Sequence, residues 1–409
     1  MTGDADPVVK APQKEAFDAS ILAESYTMSL LRTDDEVAAS ADDLRRFLES
    51  ADAITPNNTP ARYLSTARAL GHQPLVAIAR RDGVIVGLVM AREAHRRERF
   101  RIGYSTLSSP TLRTLDVVYG GFQASDAHAA DVLLKHLVTI TRQRQCDLLT
   151  FNHIAAHRPE AQILAKALRP VCSAIKSETD PHIEYEIADG GYKTNLSHLS
   201  SKHRYNLRRE RRLLAERFEG DLTLRVFRHL EDVDELALGT HELAVQTWQA
   251  RSRGNFLDTP LNRVLLENDA KAGSLRSYWL LGAGRLIAFQ IGGVYGRRYV
   301  LHSIGHDAQY ERLSPGKTLF QMALDDLCQS EAKFIDYGFG EAAYKKQFAT
   351  RCWDEQRLRF YAKSWKGRYV GAMDGLVDSA SKAGGSILQR LGKLNTVKKK
   401  WRARLSVKQ

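Results

Sequence analysis

Apolar and polar positions along the chain fall into two similar runs of elements. Roughly thirty leading residues lack sustained periodicity and read as a mobile lead-in. Apolar residues then recur at helical spacing through residues 42–53 (DDLRRFLESADA) and 61–70 (ARYLSTARAL). Residues 74–92 (PLVAIARRDGVIVGLVMAR) are two β-rich runs around a turn at Asp82 and Gly83, a hairpin signal. After a strand-rich stretch, residues 129–145 predict an amphipathic helix that runs into an apolar strand, CDLLTFNHI.

The order then repeats. A basic helix over residues 202–217 and a second helix in DVDELALGTHELAVQTWQAR lead to a hairpin, SYWLLGAGRLIAFQIGGVYG, turning at Ala283 and Gly284. A strand (YVLHSIGH), a helix (residues 316–330) and a strand (AKFIDYGFG) complete the parallel. The hairpins lie about 200 positions apart, which reads as a diverged duplication. The expected organisation is a lead-in over 1–35, domains over 36–185 and 186–370, and a basic tail over 371–409.

Composition narrows the partners. The 409 residues carry a net charge of +12, so something anionic is expected to bind: nucleic acid, a membrane surface or a phosphorylated ligand. Much of the excess sits in SKHRYNLRRERRLLAERF (201–218) and in the tail, where Lys398, Lys399, Lys400, Arg402 and Arg404 surround Trp401 and suit peripheral contact with an anionic membrane. The longest apolar run, near residues 84–91, falls far short of the roughly 20 residues of a spanning helix. The polar start has no signal-peptide character, which points to the cytoplasm. Cys146, Cys172, Cys328 and Cys352 make no CxxC, and His302 and His306 lie where a strand enters a loop, so no metal site is expected.

Three glycine patterns bear on ligands. Gly338, Gly340 and Ala343 spell GxGxxA, but they come late in the chain and no acidic residue follows about twenty positions on, which argues against a dinucleotide site. GKT at 316–318 would need glycine at position 311 for a P-loop, and the chain has Glu311. In YERLSPGKTLF, Ser314 and Pro315 instead open a long helix, whose free N–H groups and the Lys317 charge suit a pyrophosphate.

The basic helix SKHRYNLRRERRLL, the junction LSPGKTL and the ending DYGFGEAAYKKQF resemble the CelD-like acetyltransferases of the GNAT superfamily, relatives of the Fem-type aminoacyltransferases. The likeness spans roughly residues 192–363; the first half resembles the superfamily only in element order, as an accessory or degenerate domain would. It implies an α/β (α+β) fold of tandem GNAT-like domains, each a mixed, mostly antiparallel sheet flanked by helices. It further implies an acyl-CoA donor, acetyl-CoA or another, whose pantetheine arm enters a V between YVLHSIGH and FIDYGFG. Its phosphates would meet Ser314, Gly316, Lys317 and Thr318. The single glycine and the proline depart from the superfamily's richer phosphate loop.

By the same resemblance, Tyr344 is the acid for the departing thiolate, and Glu341 or Asp336 takes the amine's proton, with His302 a further candidate. Arg204, Asn206, Arg208, His302 and Lys345 would face a small amine acceptor, anionic in part and of the kind found in cell-envelope or exopolysaccharide precursors. Two alternatives stay open: a Fem-type enzyme using aminoacyl-tRNA, which also explains basicity, and a non-catalytic nucleic-acid binder, for which no helix-turn-helix, zinc-finger or RNP pattern appears.

Overall fold

The computed structural model describes residues 26–102, 105–246, 256–340 and 342–390. Its strands, in chain order, are β1 (Tyr26–Leu31), β2 (Gln73–Arg81), β3 (Val84–Arg96), β4 (Arg99–Ile102), β5 (Ser105–Ser108), β6 (Leu112–Ala124) and β7 (Leu148–Ala155) in the first half. They continue with β8 (Cys172–Glu186), β9 (Leu222–Phe227), β10 (Ser277–Gly282), β11 (Arg285–Tyr295), β12 (Arg298–His306), β13 (Phe334–Phe339) and β14 (Arg351–Ala362). Twelve form one sheet in the order β1-β2-β3-β6-β7-β14-β8-β13-β12-β11-β10-β9, and β4-β5 is a separate ribbon.

Both expected hairpins are present. Asp82 and Gly83 have φ of 51° and 82°, and Ala283 and Gly284 have 48° and 73°. Two consecutive left-handed residues match the right-handed twist of the strands they join.

The central strands of each half are buried on both faces, and each half is a three-layer sandwich. In the first, Leu75, Ala77 and Val89 pack with Leu133 and Leu137 of the helix Ala127–Arg142, while Val76 and Ile78 pack with Leu44, Leu48 and Tyr63 of helices on the opposite face. In the second, Leu280 and Ile287 meet Leu319 and Leu324 of the helix Pro315–Leu327 and Leu207 of the helix Ser201–Arg217. Trp279 and Phe289 meet Leu236 and Leu266 on the other face. This is a tandem arrangement of two mixed, mostly antiparallel sheets fused edge to edge.

Two expected boundaries shift. Tyr26–Leu31, inside the expected lead-in, is an edge strand on β2, because backbone pairing rewards even a half-exposed segment. The helix Trp365–Arg390 runs through residue 371, where a tail was expected; Val370 is buried, and Asp374 accepts from Lys176 and Tyr361. The basic residues from Lys398 on lie outside the described residues. Among the described residues no helix is long and apolar enough to cross a membrane.

Candidate active site

β12 and β13 run parallel and pair at only three positions, Arg298 with Phe334, Tyr299 with Ile335 and Val300 with Asp336. Beyond that point β12 continues to His306 and β13 to Phe339 without pairing to each other, so the sheet forks. Local chemistry sets the fork. The Asp336 carboxylate accepts the Gly338 N–H at 2.6 Å, and Gly338 (φ 68°) and Gly340 (φ 82°) take backbone conformations that few other residues tolerate, turning β13 aside. On β12, Ile291 pairs with Ser303 but Gly292 with Leu301, leaving His302 as an extra residue whose side chain is exposed.

The first half forks the same way. β6 and β7 are parallel and their pairing ends at Val117 with Phe151. Met90 alone stands opposite the stretch from Val118 to Gly121, a wide bulge. Both forks open into one cavity of about 670 Å³, walled by residues just past each fork, including Tyr119, His153, His302, Asp336 and Phe339.

Its floor is a buried ionisable cluster. His182 on β8 lies with Nε2 2.8 Å from Asp336 Oδ1 and Nδ1 3.5 Å from Glu355 Oε1 on β14. Tyr119 OH and Trp353 Nε1 donate to the same Glu355 oxygen at 3.3 and 3.0 Å. Burial works against charge on His182, but Asp336, then Glu355 and Glu184, outweigh it and raise its pKa. Burial raises Glu355, against the pull of His182, Trp353 and Tyr119. Glu184, fully buried, is likewise raised by burial although Arg298 and Arg351 each reach it at 3.1 Å. Rings close the wall: His182 stacks on Trp353 at 4.5 Å, and His153, held at φ 64°, stacks on Phe339 at 3.7 Å, joining the halves.

At the far end of β12 the helix Pro315–Leu327 begins. Ser314 sits in the left-handed region (φ 54°) and its side chain makes no cap bond. Pro315 has no N–H, while the Lys317 and Thr318 N–H groups turn back to the Ser314 carbonyl at 3.0 and 3.3 Å. Gly316 is exposed, its N–H has no partner among the described residues, and a Cβ there would come no closer than 3.9 Å to any atom, His306 Nδ1. The equivalent helix of the first half, Ala127–Arg142, is closed by Asp126, whose carboxylate accepts the Ala129 N–H at 2.8 Å.

Residues 201–346 match the family described as the acetyltransferase (GNAT) domain. The likeness to that family covers this segment, about a third of the chain. Solved structures agree on the fold. At 13% identity and a TM-score of 0.51, 84% of this chain covers 97% of the C-terminal domain of a putative lysylphosphatidylglycerol synthetase from Agrobacterium fabrum. FemX gives 12%, 0.51, and 72% of this chain over 90% of that one. A conserved protein of unknown function from Bacteroides thetaiotaomicron gives 12%, 0.50, and 81% over 100%. No curated protein matches the chain.

Of the expected site residues, the structure brings Asp336 and His302 together on the cavity wall. Lys345 is buried and donates to the carbonyls of Phe339 and Gly340 at 2.7 and 3.3 Å, bracing the end of β13; burial lowers its pKa, with Asp336 opposing. Lys317 is ion-paired with Glu210 at 2.9 Å, so its charge is already answered by protein. Arg204 folds back on the carbonyls of Ser197 and Leu199, Arg208 donates to the Arg204 carbonyl, and Asn206 is exposed; none of the three lines the cavity. The reason is local: the Ser197 and Leu199 carbonyls, in the loop before the helix, already take up the Arg204 guanidinium. Glu341 lies outside the described residues, and Tyr344 is the second residue of the short helix Ala343–Phe348 with its side chain outside them.

Sequence reasoning missed His182, Glu184, Glu355, Trp353 and Tyr119. The first four lie on β8 and β14, and on β8 HIEYE alternates ionisable with apolar positions. Such alternation ordinarily marks a solvated face; here both faces are covered, and the carboxylates are inside. Two acids and a histidine at alternate positions of a strand were the available signal.

Proposed function

We propose that this protein is an acyl-CoA-dependent N-acyltransferase that moves an acyl group from the thioester to a primary amine. The observation that carries the reading is the end of β12–β13 pairing at Val300 and Asp336, on the same strand that leads to the open amide of Gly316. Strand edges left unpaired past the fork offer hydrogen-bonding groups to the amide-rich pantetheine arm, and the helix start offers a positive end to its diphosphate. The thioester carbon then lies near the cavity, where the acceptor sits. The amine nitrogen attacks the carbonyl carbon, the C–S bond breaks, and the thiolate takes a proton, for which Tyr344 is the proposed donor. Asp336, already accepting from Gly338 and His182, holds the fork's shape, and Glu341 is kept as an alternative proton acceptor.

The CelD-like resemblance favours an amine on a cell-envelope or exopolysaccharide precursor. A second reading, an aminoacyl-tRNA donor, is favoured by the exposed Arg208 and Arg209 on the helix beside Lys317, and by the fold shared with FemX. Thermal-shift titration separates them. A ligand at 100 times its Kd stabilises the native state by about 2.7 kcal/mol. CoA and acetyl-CoA are expected to raise the midpoint, followed by thiol release when amines are added. A rise with aminoacyl-tRNA and none with any thioester would transfer the assignment to the second reading.

A further inference from the structure

His302 has a second line of contacts behind it that the transfer chemistry above does not use. Its Nε2 lies 3.4 Å from the hydroxyl of Tyr295, at the end of β11. Tyr295 is buried and hydrogen-bonds in turn to the carboxylate of Asp269, on the helix Pro260–Lys271. Asp269 is 2% exposed and ion-paired with Arg62, a residue of the first half whose guanidinium also stands 5.9 Å from the Tyr295 ring. The path runs from an exposed imidazole on the cavity wall, through a phenol, to a buried carboxylate held across the two halves.

We propose that His302 is the group that accepts the proton of the attacking amine, and that Tyr295 and Asp269 are relay residues behind it. The inference rests on the acyltransferase reading. As the C–N bond forms, the amine N–H proton passes to His302 Nδ1, the Nε2 proton passes to the Tyr295 oxygen, and the Tyr295 proton passes to Asp269. The C–S electron pair leaves on sulfur. At the end the imidazole and the phenol are unchanged in charge, Asp269 is neutral, and the proton it holds returns to solvent as the thiolate is protonated.

Four features of the site favour this route over a simple base. The β12 bulge turns His302 into the cavity next to the fork, where the amine must approach. His302 opens on the cavity rather than on bulk water, and protein packed around that cavity, then Arg62, disfavours an imidazolium and lowers its pKa, with Asp336 opposing, so the ring serves better as a conduit than as a store of charge. Burial pushes Asp269 up to about 6, against the pull of Arg62 and Tyr295, so it holds a proton more readily than an ordinary carboxylate. Gly293 keeps room for the phenol, since a Cβ there would come within 3.2 Å of the Tyr295 hydroxyl.

The test compares His302→Gln, Tyr295→Phe and the double variant, each measured for acetyl-CoA affinity by thermal shift and for kcat with an amine panel. His302→Gln is expected to lose about 100- to 10,000-fold in kcat, as for removal of a general base, with acetyl-CoA affinity held within about 2-fold. Tyr295→Phe is expected to lose roughly 10-fold or more, and the double variant to be no slower than His302→Gln, because the two act in series. Wild-type kcat in His302→Gln would overturn the proposal, and so would losses that multiply in the double variant. A fall in thioester affinity equal to the fall in kcat would mark the residues as structural and also overturn it. If wild-type protein binds no thioester, the acyltransferase reading falls first, a result distinct from thioester binding that survives while the His302 effect is missing.

Discussion

Gly316→Ala separates a binding role from a folding role, because the two predict opposite signs. The position is the second residue of the helix Pro315–Leu327, its φ is not positive, and an added Cβ meets nothing within 3.9 Å. Alanine there is therefore expected to stabilise the fold by about 0.4–1 kcal/mol, mainly by restricting the unfolded chain. For a chain of this size that raises the thermal midpoint by about 0.5–1 °C. Ligand binding moves the other way. Among the described residues Gly316 carries the one N–H of the first helical turn without a partner, and a methyl group beside it hinders a phosphate oxygen from reaching it. A hydrogen bond to a charged group contributes about 1.5–3 kcal/mol, so acetyl-CoA affinity is expected to fall roughly 10- to 150-fold. Isothermal titration with acetyl-CoA, paired with a ligand-free melting curve, reads both effects. A more stable variant that binds acetyl-CoA as the wild type does would refute the placement of the diphosphate at this helix start.

Other consequences follow from the same geometry. Asp126→Ala removes the cap of the helix Ala127–Arg142 and should cost about 0.5–2 kcal/mol in denaturant unfolding, while acetyl-CoA stoichiometry stays at one per chain; a second site appearing on removal of that carboxylate would contradict the asymmetry of the forks. Glu210→Gln frees Lys317 to meet a phosphate, and acetyl-CoA affinity should rise by about 5-fold at low salt, the value of roughly 1 kcal/mol for a half-exposed ion pair. The gain should shrink as salt is added, and a fall in affinity would mean that Lys317 is needed where it now stands. For His182 the folded pKa lies above the unfolded 6.5, so its stabilising contribution is fully present below pH 6.5 and is lost as pH rises through the folded value. His182→Gln should flatten the thermal midpoint across that window, and an unchanged slope would show that the Asp336 contact does not hold charge on the imidazole.

Much of the fold was legible because it rests on local rules. Asp82-Gly83 and Ala283-Gly284 named both hairpins, and the helical spacing of Leu133, Leu134 and Leu137 named the helix that covers the first sheet. The fork at Asp336 was visible in DYGFG, where an acid and two glycines end a strand. The floor of the cavity was not. β8 and β14 hide in sequence because they carry Glu184, His182 and Glu355, and no periodicity distinguishes a carboxylate buried beside arginine from one in water. The cationic row on the helix Ser201–Arg217 misled for the opposite reason: Arg204 is answered by backbone carbonyls of its own loop, and none of the arginines after it lines the cavity.

The strand order also explains why the cavity lies where it does. β14, the last strand of the second half, inserts between β7 and β8 of the first, and β8 crosses to pair with β13. Each half therefore borrows the strand that fills the space beside its own fork. Through this exchange His182 from the first half and Glu355 from the second come to share one oxygen-to-nitrogen contact, and Arg298 reaches both Glu184 and Asp52. An ancestral pair of identical units, each with its own final strand beside its own fork, would have kept two separate clefts. Exchange merges them, and the cap at Asp126 then leaves only one of the two helix starts open to an anion. On the acyltransferase reading, this asymmetry suits a site with one substrate anchored by phosphate and the other not. It follows that the chain cut between residues 185 and 186 should leave neither piece with a finished sheet: the first piece would lack the strand between β7 and β8, and the second would expose the edge of β13. Co-expression of the two pieces should restore acetyl-CoA binding where either piece alone shows none, and a second piece that binds acetyl-CoA alone with native affinity would show that the donor fork owes nothing to the exchange.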